Sequence, residues 1–405
     1  MLKFMRIHPL CFFLAASLSL GACTEDETLG PASPEMIELG AYLFHDTNLS
    51  EPQGVACASC HTEALAFTGN NGSPINSVAR GSLPRSLGTR NSPSILYSKF
   101  SPHFHFRPDQ EQGQLSLSPF GGQFWDGRAA TLTEQAKGPF LNPIEMNNPS
   151  VASLIAKVRR SAYVDLFVKT YGDHVFDNDD QAFQHIADAI SAYERSLEER
   201  TFSSKFDGVL AGQEQFTQQE AYGFALFKDA NKGNCIHCHT GTESSRESKD
   251  WLFTNFSYES IGVPRNRVIP ANRNPAFYDL GLCQQDTLKS VTAGLADISE
   301  FCGYFKVPTL RNIAITAPYM HNGIFANLHD VVSFYASRDT NPQRWYSPSS
   351  GSNSSVFYDD LPPQYFENVT MDAPFGRSFG DQPRLTEMEI DAIVAFLYTL
   401  SDRGY

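Results

Sequence analysis

Two short cysteine–histidine motifs carry the clearest chemistry in this chain, CASCH at Cys57–His61 and CIHCH at Cys235–His239. The pattern C-x-x-C-H is the attachment signature of c-type haem. Its thiols bond to the porphyrin, and the adjacent histidine becomes an axial iron ligand. A redox dithiol or half of a zinc site is the alternative, but no second C-x-x-C pair follows at zinc-ribbon spacing. Two covalent haems are therefore predicted, one held by Cys57, Cys60 and His61 and the other by Cys235, Cys238 and His239.

The segments before the two motifs resemble each other, since GAYLF (Gly40–Phe44) precedes the first and GFALF (Gly223–Phe227) the second. Both lie in helical patterns, and a glycine inside each helix predicts that another helix packs closely against it. Helix starts are predicted at Ser33 with Pro34, Thr217 with Glu220, and Thr386 with Glu389. Ile390, Ile393, Val394 and Leu397 line one face of the last of these helices. The sequence thus predicts a mostly α protein of two tandem cytochrome c-like domains, each with one covalently bound haem.

The first residues read as an export signal. An apolar run from Leu10 to Leu20 follows two basic residues and is too short to span a membrane, so residues 1–22 are predicted to be a signal peptide. Its end resembles a lipobox, in which Cys23 is lipidated, with a linker reaching residue 33. Ordinary cleavage that leaves Cys23 free is the alternative. Thr24 in place of Asp favours the outer membrane, with the protein on the periplasmic side.

The net charge of the chain limits the kinds of partner that the protein could bind. With 31 basic and 45 acidic residues the formal net charge is −14, which argues against nucleic acid binding. An acidic surface suits a basic partner protein or simple solubility.

Two cysteines, Cys283 and Cys302, remain after the haem motifs. In an oxidising compartment they could form a disulfide, and two free thiols are the alternative.

Three further motifs accompany the haem sequences: FWDGRA at 124–129, NPIEM at 142–146 and VPTLRNIAITAPYMHNG at 307–323. With them the chain resembles the bacterial di-haem cytochrome c peroxidase family, which includes the MauG-type enzymes. The similarity runs in the same motif order from about Pro34 to Leu400. It implies an N-terminal peroxidatic domain at 34–200 and a C-terminal electron-transfer domain at 201–405. A Ser-, Asn- and Pro-rich stretch at about 340–378 reads as a loop inserted in the latter.

The resemblance also implies site residues. Trp125 matches a tryptophan that passes electrons between the haems, although a buried core aromatic is the simpler interpretation. Glu145 matches the carboxylate on the peroxide side of the first haem, where it moves a proton between the peroxide oxygens. Gln135 and Pro139 match residues that shape the same pocket.

A calcium ion between the haems is implied in the same way. Asn91, Thr316 and Pro318 match its ligands, and an Asn side chain and backbone carbonyls are the hard oxygen donors that Ca²⁺ requires. On the sequence alone these three would be turn residues.

One departure from the family concerns the first haem. Peroxidases of the usual type carry a histidine that blocks this haem until the other is reduced, but no histidine lies between His61 and His103. The family spacing, eight residues before Asn91, leads to Leu83. The first haem is therefore expected to be open to peroxide. His103 and His105 are the possible substitutes after a loop rearrangement, or simply surface or core residues.

A second departure concerns the other axial ligand of the C-terminal haem. The usual methionine lies eighteen residues after the alanine of APY, and from Ala317 that position is Tyr335. MauG-type enzymes have tyrosine there, and a phenolate should lower the haem potential. A core residue on an amphipathic helix is the alternative. Of the nearby candidates, Met320 is expected to pack, His321 to join a hydrogen-bond network and His329 to lie on the surface.

Three functions are compatible with these residues. The first is reduction of hydrogen peroxide with electrons from a small cytochrome or cupredoxin. The second is MauG-like oxidation of residues in a partner protein, although Gly233 stands where MauG has a surface tryptophan, which leaves Trp251 or surface tyrosines as other exits. The third is a di-haem electron carrier, for which a vacant iron beside Glu145 would have no purpose.

Overall fold

The computed structural model describes residues 32–111, 114–285, 288, 297–346 and 357–405. The predicted signal, lipobox and most of the linker lie outside these ranges, as does part of the predicted inserted loop. The described part of the chain is mostly helical, and four strands within it form two small antiparallel pairs. The helices are α1 (Pro34–His45), α2 (Cys57–Cys60), α3 (Leu132–Leu141), α4 (Val151–Val158), α5 (Val164–Tyr171), α6 (Asp179–Ser196), α7 (Lys205–Leu210), α8 (Gln218–Lys228), α9 (Leu328–Ser337) and α10 (Glu387–Tyr398). The strands are β1 (His105–Glu111), β2 (Gln114–Phe120), β3 (Tyr258–Glu259) and β4 (Phe305–Lys306).

Local side-chain bonds set the predicted helix starts. The Ser33 hydroxyl accepts a hydrogen bond from the Met36 amide (3.2 Å), with Pro34 in the first helical position. Helices α8 and α10 both begin with reciprocal capping boxes, formed by Thr217 with Glu220 and by Thr386 with Glu389. Each box satisfies amides that have no partner within the helix. All three predicted starts are confirmed.

Both predicted glycine contacts are present in the structure. A Cβ added to Gly40 of α1 would lie 1.9 Å from the Ala189 carbonyl oxygen of α6. A Cβ added to Gly223 of α8 would lie 1.9 Å from the Ala392 carbonyl oxygen of α10. The helix before each haem motif therefore packs backbone against backbone on a later helix, and only glycine allows that distance.

Two hydrophobic cores form around these helix pairs. The first gathers buried residues between Leu39 and Leu197, and the second gathers residues between Phe206 and Leu400. Leu252, Ile315 and Tyr405 nevertheless pack against the first core, so the later part of the chain contributes to both. A division at 200/201 stays a prediction.

A β-hairpin that the sequence patterns did not indicate joins the two parts. Strands β1 and β2 pair with His105 opposite Phe120. The hairpin base packs on a small third cluster that includes Tyr258 and Phe301. Cys283 and Cys302 form a disulfide beside it, with their Cα atoms 4.9 Å apart, so the free-thiol alternative is wrong.

The stretch at 340–378 is more than a surface connection. Its described residues send four large buried apolar side chains into the second core: Tyr346, Tyr358, Leu361 and Val369. These buried side chains are widely spaced in the chain, so the Ser-, Asn- and Pro-rich composition did not indicate them. No helix in the ranges listed above is long and apolar enough to cross a membrane.

Replacement of Gly223 by alanine should destabilise the haem-loaded protein by about 2 kcal/mol, because the added methyl group must displace the α10 backbone. Urea unfolding followed by helical circular dichroism measures the change. Ala225→Ser, on the exposed face of the same helix, is the control and should cost well under about 1 kcal/mol. Equal stability of Gly223→Ala and the parent would contradict the close contact.

Candidate functional site

The first haem motif folds so that its histidine presents one nitrogen to a ligand. Cys57–Cys60 form the single turn α2, and the His61 amide bonds back to the Cys57 carbonyl (2.9 Å). His61 Nδ1 lies 3.1 Å from the Phe67 carbonyl oxygen. Burial lowers the pKa of His61 and keeps the ring neutral. Nδ1 therefore donates its proton to Phe67, and the Nε2 lone pair is left for a metal.

The second motif repeats this arrangement. The His239 amide bonds to the Cys235 carbonyl (2.9 Å), and His239 Nδ1 lies 3.1 Å from the Phe253 carbonyl and 3.2 Å from that of Pro308. Burial lowers the pKa of His239 to about 4. Both histidines are thus neutral, fixed in the same tautomer, and oriented as axial ligands require.

The four motif cysteines fit attachment of a porphyrin better than the alternatives. All four are free of disulfide bonds, as attachment to a porphyrin requires. Burial raises the pKa of Cys60 and of Cys235 to about 12, which disfavours the thiolate that zinc would need. The described residues contain no cluster of three or more His, Cys, Asp and Glu side chains able to hold a metal ion.

A mainly apolar cavity of about 310 Å³ adjoins the second motif. It extends to Thr68 near the first motif, and so it lies between the two haem loops. Its walls suit a flat apolar group bonded to the thiols. The wall residues that make the cavity suitable for such a group are Cys235, Cys238, His239, Trp125, Tyr335 and Phe375.

Tyr335 reaches this cavity from α9 with an unpartnered hydroxyl. Its ring stacks on Phe375 (centroids 5.2 Å apart, 29° between planes), and the Arg338 guanidinium lies 3.8 Å from the Phe375 centroid. The hydroxyl has no hydrogen bond with any residue in the described ranges. Burial raises the pKa of Tyr335, whereas Arg338 opposes that shift. The half-buried Tyr335 thus lines the cavity with its phenol, which is a group that a haem iron can bind.

Trp125 stands on the opposite wall and is fixed at both its backbone and its ring. Its indole Nε1 donates to the Asn91 carbonyl (2.8 Å), and its own carbonyl accepts from the Lys306 amide (2.7 Å). These bonds hold the ring against the cavity between the haem loops.

Asn91, Thr316 and Pro318, the predicted calcium ligands, come together at one end of the cavity. The Asn91 side-chain amide lies 2.6 Å from the Pro318 carbonyl oxygen. Rotating that amide by half a turn would place its oxygen beside the carbonyl, which is an arrangement that a hard cation can bridge.

Glu145 lies at the end of α3, on the side of the first motif. Gln135 and Pro139 are four residues apart and so share one face of this helix. A turn closed by the Glu145 amide on the Asn142 carbonyl (3.0 Å) follows the helix. Burial raises the pKa of Glu145, opposed by Arg128 and Asn142, and the Glu145 charge in turn raises the pKa of Cys60.

The comparisons with known proteins agree with this geometry. The family model for di-haem cytochrome c peroxidase matches residues 34–215. The methylamine utilization protein MauG of Paracoccus denitrificans is 34% identical over 100% of this chain and 97% of its own. Cytochrome c551 peroxidase of Nitrosomonas europaea is 32% identical over 75% of this chain and 73% of its own.

The chain belongs to the di-haem cytochrome c peroxidase family. The crystal structure of the di-haem peroxidase BthA from Burkholderia thailandensis matches it with a TM-score of 0.82 and 39% identity, over 92% of this chain and 87% of that one. The protein is thus an oxidoreductase acting on hydrogen peroxide, and the family implies two c-type haems. The electron-carrier alternative loses its support.

Leu83, where a family member could carry a blocking histidine, follows residues that bond to the Glu145 turn, and it is 41% exposed. The Ser82 amide donates to the Glu145 carbonyl (2.7 Å), and a Cβ on Gly81 would lie 2.3 Å from the Ile144 carbonyl oxygen. The loop that carries Leu83 is therefore held directly on the Glu145 turn.

The two substitute histidines lie at the β-hairpin instead. His105 Nδ1 lies 2.8 Å from the His103 carbonyl, and the His105 ring packs edge-on against Phe120 at 5.2 Å.

Two of the other three candidate ligands behave as expected from the sequence. Met320 packs against the second core. His329 is partly exposed on α9, and its Nε2 lies 3.4 Å from Glu387 and 3.6 Å from Asp391 on α10. His329 is therefore engaged by carboxylates at the helix surface, while Met320 also lines the cavity.

His321 differs from the prediction. Its ring stacks flat on Phe305 at 3.7 Å, and its Nε2 has no hydrogen-bond partner. Asp279, the carboxylate that acts on its charge, is occupied by a bidentate bond with Arg90. The predicted hydrogen-bond network is thus not formed at Nε2 among the described residues, and stacking on Phe305 holds the ring.

The structure also limits the residues through which oxidising equivalents could leave the protein. A Cβ at Gly233 would lie 2.8 Å from the Leu226 carbonyl oxygen, so a larger residue would require the local backbone to move. Trp251 is only 3% exposed, and its Nε1 donates to the Ser245 carbonyl (3.1 Å). Trp251 is a core residue and cannot touch a partner protein directly.

Two buried charged groups near the haem loops were missed because no motif marks them. Burial raises the pKa of Glu194 to about 8, its Oε2 has no partner, and its charge acts on Cys57. Burial lowers the pKa of Lys306 to about 8, and its Nζ donates to the Ser101 hydroxyl (3.2 Å) and the Gly122 carbonyl. The sequence feature that could have indicated Glu194 is its position as a charged residue on an otherwise apolar helix face.

Replacement of Leu83 by histidine should close the first haem in the fully oxidised protein, because the loop that carries this residue is held on the Glu145 turn. We expect its reaction with stoichiometric peroxide to slow by roughly tenfold or more, about 1.4 kcal/mol. Stopped-flow absorption measures the rate, and Leu83→Ala is the control. A parent protein that reacts with peroxide only after one haem is reduced would show that another ligand already blocks the site.

Proposed function

We propose that this protein reduces hydrogen peroxide at the haem held by His61, with electrons relayed through Trp125 from the haem held by His239 and supplied by an external donor. The observation that carries the proposal is the position of Trp125, which is hydrogen-bonded to Asn91 on the wall of the cavity between the haem loops. An aromatic ring fixed there gives electrons a route between the two groups.

Each haem would belong to one cytochrome c-like domain, at 34–200 and 201–405. Covalent attachment through Cys57 and Cys60, and through Cys235 and Cys238, is supported by their free, half-buried thiols. The neutral histidines next to them would each offer one ring nitrogen to the iron.

Glu145 would manage the protons. The haem, when bound, supplies the redox chemistry: hydrogen peroxide takes up two electrons and two protons and leaves as two waters. The Glu145 carboxylate accepts the proton of one peroxide oxygen and returns it to the other, which needs a carboxyl with a raised pKa. Gln135 and Pro139 on α3 would shape the space in which the peroxide is held.

Tyr335 would complete the coordination of the second haem as a phenolate. Its unpartnered hydroxyl and its stack with Phe375 support this role. A strong anionic donor lowers the potential of that haem and helps it to hold an oxidised state. A Ca²⁺ ion at Asn91, Thr316 and Pro318 would join the segments before Trp125 and before α9.

The electron donor would be a small basic cytochrome or cupredoxin, because the protein carries a formal net charge of −14. We place the protein on the periplasmic side of the cell envelope, exported by a signal at 1–22 and anchored through a lipid on Cys23. The lipobox resemblance supports the anchor.

MauG-like oxidation of a partner protein is the second candidate. It is favoured by Tyr335 at the ligand position and by similarity to MauG along the whole chain. The steric limit at Gly233 and the burial of Trp251 count against the exit route that MauG would use.

The test is peroxide-dependent oxidation of a reduced small c-type cytochrome, compared between the parent and Glu145→Gln. We expect roughly 10²- to 10⁴-fold slower turnover in the variant, because glutamine cannot carry the proton. In the parent the rate should fall as the pH drops through the raised pKa of Glu145, since the base form is lost. In Glu145→Gln that pH dependence should disappear.

Glu367→Gln, an exposed substitution, is the control and should leave the rate and the pH profile unchanged. Peroxide consumption without any cytochrome oxidation would favour the MauG-like alternative. Full activity in Glu145→Gln would remove Glu145 from the mechanism.

Replacement of Tyr335 should separate a ligand from a packing residue. Tyr335→Met should raise the potential of the second haem, because a thioether donates less charge than a phenolate. Tyr335→Phe keeps the ring stack on Phe375 but removes the oxygen, so it should change the haem absorption without unfolding the protein. Spectroelectrochemical titration measures both, and unchanged spectra in both variants would show that Tyr335 only packs.

A further inference from the structure

Tyr97 is a second buried tyrosine on the wall of the cavity between the haem loops. It is 5% exposed and lines the same cavity as Trp125 and His239. Unlike Tyr335, it has two hydrogen bonds. Its hydroxyl donates to Asp402 Oδ2 (2.7 Å) and accepts from the Phe202 amide (2.9 Å).

Asp402 is held so that it can accept a proton. The carboxyl group is 2% exposed and receives hydrogen bonds from the Asn312 side-chain amide (2.8 Å, at Oδ2) and the Ser203 amide (2.8 Å, at Oδ1). The Asp402 backbone amide bonds in turn to Asn312 Oδ1 (2.7 Å). The carboxylate therefore keeps its position whether or not it carries a proton.

Oxidation of a tyrosine by one electron makes its hydroxyl a very strong acid, so the proton must have an acceptor nearby. Burial raises the pKa of Tyr97, and Arg311, whose guanidinium lies 5.7 Å from its ring centroid, opposes the shift. The hydroxyl thus keeps its proton in the resting protein. A nearby positive charge also disfavours a cationic ring, so electron loss and proton loss must occur together.

We propose that Tyr97 is a redox-active residue that stores one oxidising equivalent from peroxide. The inference rests on the proposed function, since hydrogen peroxide is the oxidant. One electron leaves the Tyr97 ring toward the peroxide-oxidised enzyme, and the hydroxyl proton moves along the hydrogen bond to Asp402. A neutral tyrosyl radical and a neutral carboxylic acid result. An electron from the external donor and return of the proton restore both groups.

Other buried tyrosines lack one of the two requirements. Tyr346 and Tyr258 donate to backbone carbonyls, of Gly262 (2.6 Å) and Gly121 (2.7 Å), which cannot take up a proton at ordinary pH. Tyr163 has a carboxylate acceptor, Asp46 Oδ2 at 2.7 Å, but it lines a separate surface pocket beside α4 and α5. Tyr163 is therefore a matched control with the same hydrogen bond in a different place.

A structural role for the same pair is the competing explanation, because the bond joins residues 305 positions apart in the chain. That role would make Tyr97→Phe less stable without changing any radical. A radical readout separates the two explanations, and stability does not.

The experiment adds stoichiometric hydrogen peroxide to the fully oxidised, haem-loaded protein without donor, freezes it and records the electron paramagnetic resonance spectrum. We expect an organic radical signal that narrows when the protein contains ring-deuterated tyrosine. The signal should be lost in Tyr97→Phe and retained in Tyr163→Phe. Asp402→Asn leaves Tyr97 in place but removes the proton acceptor, and it should also lose most of the signal.

Peroxide consumption in the same samples distinguishes failure of the role proposed for Tyr97 from failure of the proposed peroxidase function. Normal consumption with no radical, or with a radical that persists in Tyr97→Phe, overturns the role of Tyr97 and leaves the peroxidase function intact. Failure of the parent protein to consume peroxide overturns both.

Discussion

Asn91 makes the set of hydrogen bonds on which the rest of the site depends. Its carbonyl fixes the Trp125 indole, its side chain meets the Pro318 carbonyl, and its amide donates to the His321 carbonyl. Each such bond contributes roughly 0.5–1.5 kcal/mol, and leaving its partners buried and unpaired costs more. One residue thereby couples the aromatic ring between the haem loops to the segment that leads into α9. A shift of Asn91 would move the electron route and the helix that carries Tyr335 together.

The two haem motifs have the same arrangement around their histidines and differ in the other side chains near them. His61 and His239 are both neutral, both donate Nδ1–H to backbone carbonyls, and both follow a glycine-packed helix. The opposite faces differ in the group that reaches them. Glu145 arrives on a turn after α3, whereas Tyr335 arrives from within α9 with Phe375 against its ring. In the function proposed above, this difference would let one chain hold a site for peroxide and a site for electrons.

Much of the framework could be predicted because it depends on short-range patterns. The caps at Ser33, Thr217 and Thr386 follow from side chains that bond three residues away, and the close approach at Gly223 follows from a glycine inside an amphipathic pattern. The hairpin, by contrast, has no clean alternation and depends on packing against a distant cluster. The aromatic anchors in 340–378 are too widely spaced for a composition window to detect.

By itself, the sequence determined the haem-binding motifs, the helix boundaries around them and the family, because these depend on residues that are neighbours in the chain. The tertiary structure decided what faces each motif. It put Trp251 into the core, stacked His321 on Phe305 and left the Tyr335 hydroxyl unpartnered in the cavity. It also brought Tyr97 to Asp402, across 305 positions of sequence. Such contacts arise from the packing of whole helices and loops, and no local spacing rule encodes them.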